Sequence, residues 1–266
     1  MHYHSLDPYR YANSPVHSLD ARIKFALAIA FILTTSLTPF GAWPVYILLF
    51  ALIFSAILLS DLGVVYVLKR ALLALPFVLA ALPVIFTSRG VELFSLWGFS
   101  ATQEGLVRFT SITLKSWLSV QAAILLASST PFPDLLQAMR AAGIPRLLVA
   151  MFSLMWRYIF VLVDEALRLL RARSARSGIS RDAIPVRKVG GSITWRARVA
   201  GGMAGNLFLR GIERSDRIYV AMLSRGYGGE VRALPHPPLK RSAWLVLVGG
   251  LITLAFLLFI GILFWA

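Results

Sequence analysis

The chain has 266 residues, 58% of them hydrophobic, with a mean hydropathy of +0.74; a soluble domain is about 45–50% apolar, so composition argues against an ordinary soluble fold. The net charge of +15 is confined to a few stretches, and apolar blocks alternating with basic ones suit helices threaded through a bilayer. The absence of cysteine excludes a disulfide framework, thiolate metal sites and iron–sulfur ligation.

Met1 to Lys24 is polar and irregular, with Asp7, Pro8, Asn13, Pro15 and Asp20, and the first apolar run begins only at Phe25. A secretory signal needs a short basic region followed by an apolar core. Insertion is therefore expected to use the mature helices themselves. A hydrocarbon core of ~30 Å takes about 20 mostly apolar helical residues. On that measure the first span is predicted from about Ile23 to Thr38, stopping at Pro39, and the second from Trp43 to about Ser60. Gly41 and Pro44 between them mark a tight turn and a helical hairpin. The third span runs from about Ala71 to Thr87, and Pro76 and Pro83 should kink it. The fourth, about Glu104 to Ala127, is the most polar, with Arg108, Lys115 and Gln121. The fifth, Ala243 to Ala266, has Trp244 and Trp265 near its ends, where interfacial aromatics belong.

Orientation follows the placement of Lys and Arg. Residues 39–42 carry none, residues 88–103 carry Arg89, and residues 61–70 end in Lys69-Arg70. Residues 128–240 hold 18 of the 27 basic residues against 7 acidic ones. Five spans with a cytoplasmic N-terminus put the basic loops in the cytoplasm and the C-terminus outside. Ile144–Val163 is a further apolar stretch. As a sixth span it would send the most arginine-rich part of the chain outside, so it reads as the buried first half of a long helix, against the membrane interface or the other spans.

Within 128–240, Asp134 lies in the first turn of a short helix that Gly143 stops, and Pro145 opens the next. That helix continues to about Ser177, its basic residues Arg168, Arg171, Arg173 and Arg176 gathering near its end, where cations complement the dipole. Asp164 and Arg168 are spaced to pair on one face. After Gly178 comes a break containing Pro185 and Gly190-Gly191. A second long helix is predicted from about Trp195 to Leu223. Ala197, Gly201 and Gly205 make a smooth stripe for close helix approach. Phe208, Ile212, Tyr219 and Met222 form an apolar face, and Arg210, Arg214 and Arg217 gather on another. Gly226 ends the helix.

Each long helix thus finishes in a small-Arg-small tripeptide: Ala175-Arg176-Ser177, with Ala172-Arg173-Ser174 as an alternative register, and Ser224-Arg225-Gly226. Small neighbours leave a guanidinium free to enter a groove and pair with a carboxylate. The competing reading is arginine enrichment binding anionic membrane lipid.

Taken with their order and flanking segments, these tripeptides resemble the signature of the transmembrane T component of energy-coupling factor transporters, the ABC-type vitamin and metal uptake systems of prokaryotes. Residues 13–22 (Asn-Ser-Pro-Val-His-Ser-Leu-Asp-Ala-Arg), Arg157-Tyr158 leading to Asp164-Glu165-Ala166, and Ala221-Met222-Leu223-Ser224-Arg225-Gly226-Tyr227 resemble its cobalt and nickel, CbiQ-like branch. Ser224 stands where Ala is common. The resemblance implies an all-α polytopic membrane protein of about five transmembrane helices plus two long cytoplasmic amphipathic coupling helices. Residues 1–127 would hold the N-terminal segment and four spans, 128–240 the coupling region and 241–266 the last span. It further implies a non-catalytic scaffold in a prokaryotic inner membrane. Two cytoplasmic ATPases would receive Arg176 and Arg225, and a separate membrane subunit, with a small accessory subunit as a further candidate, would bind the substrate. Cobalt is preferred to nickel or a vitamin on branch resemblance alone.

Other features agree with a scaffold. No Gly-x-x-x-x-Gly-Lys-Ser/Thr loop is present, so ATP binding by a P-loop is not expected. His2 and His4 could hold a metal loosely, but on the cytoplasmic side, the wrong one for capturing an imported ion. No cofactor, resident metal or nucleic-acid partner is indicated. Arg108 and Lys115, as intramembrane cations, invite a functional reading; snorkelling suits Arg108, which Glu104 could pair. A self-contained permease remains an alternative, although its polar candidates Arg108, Lys115 and Gln121 all lie on one helix. No nucleophile–base set or paired carboxylates point to a membrane enzyme.

Overall fold

The computed structural model describes residues 8–87, 92–96, 99–176, 192–229, 239 and 241–265. They form two compact units, Met1–Ile144 with Pro235–Ala266, and Pro145–Leu234.

The first unit begins with two successive capped helices. Ser14 caps the single turn α1 (Pro15–Ser18), its Oγ accepting from the His17 N–H at 3.3 Å, and Asp20 caps α2 (Ala21–Leu37), accepting from the Arg22 N–H at 2.9 Å. Each side chain satisfies a donor that a helix start leaves orphaned. Much of the segment 13–22 is therefore a device for starting the first span. α2 turns at Gly41, whose φ of +82° suits glycine, into α3 (Trp43–Leu59). Both helices have 17 residues, about 26 Å at ~1.5 Å per residue.

The proline-interrupted stretch is broken as its sequence requires. α4 (Val64–Ala71) passes through a 3-10 turn (Leu72–Ala74) into α5 (Leu75–Ala81), which has Pro76 in its first turn, and Pro83 separates α5 from α6 (Val84–Thr87). Helix begins at Val64 rather than near Ala71, because Gly63 (φ +81°) completes the preceding turn, so Lys69 and Arg70 lie on α4 and not in a loop. Within residues 88–103, two short strands, β1 (Glu92–Leu96) and β2 (Phe99–Thr102), pair antiparallel, with Leu96 opposite Phe99.

α7 (Gln103–Ser129) packs against α2, α3, α4, α5 and α6. Its polarity follows from that central position: Ser111, Gln121, Ser128 and Ser129 are buried in protein instead of facing lipid. At its start, a Cβ on Gly105 would stand 2.5 Å from the Ile85 carbonyl oxygen, so glycine is what lets α6 approach. The apolar core around it includes Val45, Leu49, Ile53, Val67, Leu118 and Leu254. Outward residues such as Leu33, Ile47, Phe77, Ile252 and Phe259 are exposed and apolar, as lipid-facing positions require.

Two lysines tie α2 to α7 reciprocally. Lys24 of α2 donates to the carbonyl of Ser129 at the end of α7 (2.9 Å), and Lys115 of α7 donates to the carbonyl of Ser36 near the end of α2 (3.0 Å). Each ammonium meets carbonyls that a helix C-terminus leaves unpaired and sits at the negative end of its dipole. Lys115 also lies 4.4 Å from the Phe40 ring centroid, and nearby the Ser111 Oγ accepts the Gly41 N–H at 3.1 Å. The intramembrane lysine is thus a cap holding the α2–α3 turn. Arg108 is exposed, and the pairing of Glu104 with Arg108 is not formed. Lys115→Met should lower thermal stability by about 1 kcal/mol, the scale of a polar contact within a membrane bundle, as read from a detergent melt of the purified chain.

α8 (Phe132–Ala141) packs on α2 and ends at Gly143 (φ +86°), where the Ile144 N–H bonds the Met139 carbonyl. α11 (Arg241–Trp265) packs on α2 and α3. The second unit consists of two 31-residue helices, α9 (Arg146–Arg176) and α10 (Ile193–Leu223). Four stretches are long and apolar enough to cross a membrane: Val64–Thr87, Gln103–Ser129, Arg146–Arg176 and Arg241–Trp265. With the shorter apolar α2 and α3, this content makes a multi-pass membrane protein of the all-α class, the β1–β2 hairpin aside. The first half of α9, expected to be buried, is not: Ala150 is the one buried residue of that helix.

Candidate functional site

α9 and α10 meet through Glu165, which the sequence places in the Asp164-Glu165-Ala166 stretch without a partner on α10. Glu165 accepts a hydrogen bond from Arg210 Nη1 at 2.6 Å and lies 3.6 Å from Arg214 Nη2. Its side chain is 16% exposed, and the Arg210 guanidinium that donates to it holds its carboxyl below the usual carboxylate range. The neighbouring Asp164 does not pair with Arg168, although the two are four residues apart. Arg210 and Arg214 share one face of α10; one turn of helix separates them, so both reach the same acid.

A second contact fixes the relative direction of the helices. Arg173 near the end of α9 lies 6.0 Å from the ring centroid of Trp195 near the start of α10. Moving along α9 from Glu165 to Arg173 therefore moves backward along α10, from Arg210 to Trp195, and the helices run antiparallel. Their C-terminal tips consequently lie on opposite sides of the Glu165 contact. Trp195 and Arg225 are 30 residues apart, about 45 Å at ~1.5 Å per residue.

The tips differ in construction. At the second, the Tyr227 N–H bonds the Met222 carbonyl at 3.0 Å and the Gly226 N–H bonds the Leu223 carbonyl at 2.9 Å, with Gly226 at φ +78°. This is a Schellman closure, in which the glycine takes the left-handed position and Arg225 becomes the last residue before it. The small-Arg-Gly order thus follows from how the helix ends. Ser224 folds its Oγ back onto the Ala221 carbonyl at 3.0 Å. Arg225 is exposed, with no side-chain partner among the described residues. Gly226→Val would force a branched side chain into the left-handed region at about 1–2 kcal/mol. The expected result is faster amide exchange across residues 220–225.

At the first tip, Arg176 is exposed and has no partner among the described residues, and Ala175 beside it is exposed. Ser177, the third residue of that tripeptide, lies outside the described residues. In the alternative register Ala172 and Ser174 are exposed, but Arg173 is half-buried beside Trp195 and the Ser174 Oγ bonds the Arg171 carbonyl at 2.8 Å. The geometry leaves Arg176 the freer guanidinium.

The small-residue stripe on α10 does not serve the α9 contact. Ala197, Gly201 and Gly205 are exposed, and a Cβ on either glycine would meet nothing within 4 Å. Phe208, Ile212 and Tyr219 are exposed on the same side, whereas the half-buried Met203, Leu207 and Ile218 follow the Arg210–Arg214 side. Met222, half-buried, lies at the edge of the predicted apolar face.

Among the described residues no three His, Asp or Glu side chains are grouped to hold a metal ion. His17 is engaged by the Ser14 Oγ (2.7 Å) and the Arg10 carbonyl (3.0 Å). His2, His4 and His236 lie outside the described residues.

A family comparison decides the membership. The model of the CbiQ family, described as cobalt transport protein, matches residues 12–237. The chain belongs to the CbiQ family. Among its relatives is the energy-coupling factor transporter transmembrane protein EcfT of Exiguobacterium sibiricum, 29% identical over 252 residues that cover 91% of this chain and 90% of that one. The cobalt transport protein CbiQ of Salmonella typhimurium is 28% identical over 141 residues, 53% of this chain and 57% of the other. The EcfT of Lactococcus lactis is 27% identical over 227 residues, 82% of each chain. For this CbiQ-family chain the match takes in α9, α10 and both arginine tips, along with all the first-unit helices except α11.

Proposed function

We propose that this chain is the transmembrane coupling subunit of an energy-coupling factor transporter importing cobalt ions. The observation that carries the reading is the pair of exposed tip arginines, Arg176 and Arg225, at opposite ends of two antiparallel helices. Two tips held apart suit two ATPase subunits better than one. A guanidinium at a helix tip, flanked by small side chains, can enter a groove and pair bidentately with a carboxylate there. The tip residues would be Ala175, Arg176 and Ser177 on α9 and Ser224, Arg225 and Gly226 on α10.

In this reading the N-terminus and the α9–α10 unit are cytoplasmic and the C-terminus is extracytoplasmic, in a prokaryotic inner membrane. The arginine load of residues 128–240 supports that sidedness and argues against α9 as a sixth span. ATP binding and hydrolysis belong to the partner subunits, whose closure moves α9 and α10. The membrane spans hold a substrate-binding membrane subunit, and the uncovered small and apolar side of α10 offers it a further seat. The family description and the name of the Salmonella relative favour cobalt as the substrate; nickel is the alternative.

The test is reconstitution. ATP-dependent cobalt uptake into proteoliposomes should require this chain, an ATPase pair and the substrate-binding subunit together. Cobalt uptake by the purified chain alone would favour the self-contained permease instead.

A further inference from the structure

We infer that Glu165 is the fulcrum of the α9–α10 crossing: one carboxylate, shared by Arg210 and Arg214, fixes where the two helices pivot and so makes the displacement of one tip set that of the other. The inference deepens the coupling reading and rests on it for its significance, but the geometry can be tested without any partner.

Three observations lead to it. Glu165 is the one acidic residue joining the two helices among the described residues, and it is held by two guanidiniums at 2.6 and 3.6 Å. Its side chain is only 16% exposed, while Arg210 is 57% exposed, so the carboxylate is the inner partner and the arginines reach in to it. The Arg210 contact is a charge-assisted hydrogen bond, short and directional, and Arg214 adds an ion pair at 3.6 Å. The position is also balanced between the tips. Arg176 is 11 residues from Glu165 along α9, and Arg225 is 11 residues from Arg214 and 15 from Arg210 along α10. The arms are therefore about 16 Å and about 16–22 Å at ~1.5 Å per residue. The Glu165–Arg210 contact is the short one and the Arg173–Trp195 approach, at 6.0 Å, the looser one, so an angle change that keeps the first and stretches the second is a hinge at Glu165 and not a sliding seam. The side of α10 opposite, with Gly201 and Gly205 open to 4 Å, does not restrain that rotation.

The chain has no cysteine, so the full-length protein can be spin-labelled cleanly at Ala175→Cys and Ser224→Cys and the tip-to-tip distance measured in nanodiscs. The native background should give one narrow distribution. Glu165→Gln, which keeps shape and removes charge, should broaden it about twofold or more as the crossing loses its fixed point. Glu165→Arg combined with Arg210→Glu and Arg214→Glu restores attraction with reversed polarity and should narrow it again, a rescue that a merely space-filling Glu165 would not show. Arg210→Gln with Arg214→Gln removes the pair from the other side and serves if Glu165→Gln fails to insert. A distribution unchanged in Glu165→Gln, or in the double arginine variant, overturns the fulcrum. Co-purification of ATPase subunits distinguishes the two levels: Glu165→Gln should keep them, because both tips are intact, and their absence from the native chain would instead count against the coupling reading.

Discussion

Reversing both tip charges, Arg176→Glu with Arg225→Glu, is expected to abolish ATP-driven uptake while the protein inserts and folds normally. Interface arginines seated in a groove are frequent hot spots at ~2 kcal/mol or more, and placing a carboxylate against a carboxylate costs several kcal/mol further. Each single reversal should lower recovery of ATPase subunits by about 10-fold or more, and the double reversal should remove binding. Normal insertion is expected because both side chains are exposed and have no partner to lose among the described residues. Arg173→Glu is the control for register. Its guanidinium is directed toward Trp195, so it should disturb the start of α10 and leave most ATPase binding in place. Uptake surviving the double reversal would leave the lipid-binding reading of these arginines as the better one.

The second large effect concerns sidedness. Single cysteines introduced at Tyr227 and at Leu263 should be modified by a membrane-impermeant maleimide from opposite sides of the membrane, position 227 only in inside-out vesicles and position 263 only in right-side-out ones. The expected difference is all-or-none. Charge distribution drives it: residues 128–240 carry 18 basic residues against 7 acidic ones, and such segments stay cytoplasmic. It also bears on α9, whose length and apolarity would otherwise permit a crossing. If α9 were a span, positions 227 and 263 would both change sides relative to a cytoplasmic N-terminus, and the labelling pattern would invert.

How far the sequence could be read depended on the range of the interaction in question. Features set by neighbouring residues were legible. Pro76 and Pro83 announced the breaks in the Val64–Thr87 stretch, Gly226 and Gly143 announced helix ends, and 3.6-residue periodicity marked α10 with Arg210 and Arg214 on one face. Features set by pairing between distant segments were not. Asp164 and Arg168 satisfied the local spacing rule, yet the engaged acid is Glu165, because the crossing of α9 and α10 turns that residue toward arginines 45 and 49 positions away. Lys115 read as a functional intramembrane charge, since nothing in the sequence tells that the carbonyl of Ser36 lies 3.0 Å from it. Ala197, Gly201 and Gly205 have the spacing of a packing stripe, but spacing does not say which neighbour arrives, and α9 takes another side. The β1–β2 hairpin was missed because its strands are five and four residues long, too short for alternation to stand out. Arg176 and Arg225 stand out in the sequence by their small neighbours, whereas Glu165 appears there only within Asp164-Glu165-Ala166, with nothing to show that it faces α10.

The most direct test of the coupling role is cross-linking from the tips themselves. A photoreactive group on a single cysteine at Ala175→Cys or Ser224→Cys, in otherwise native complexes, should capture an ATPase subunit from each position. Captures at both positions, lost when the adjacent Arg176 or Arg225 is reversed, are the predicted result. Adducts to lipid alone from both tips, with ATPase subunits present and active in the same membranes, would contradict it.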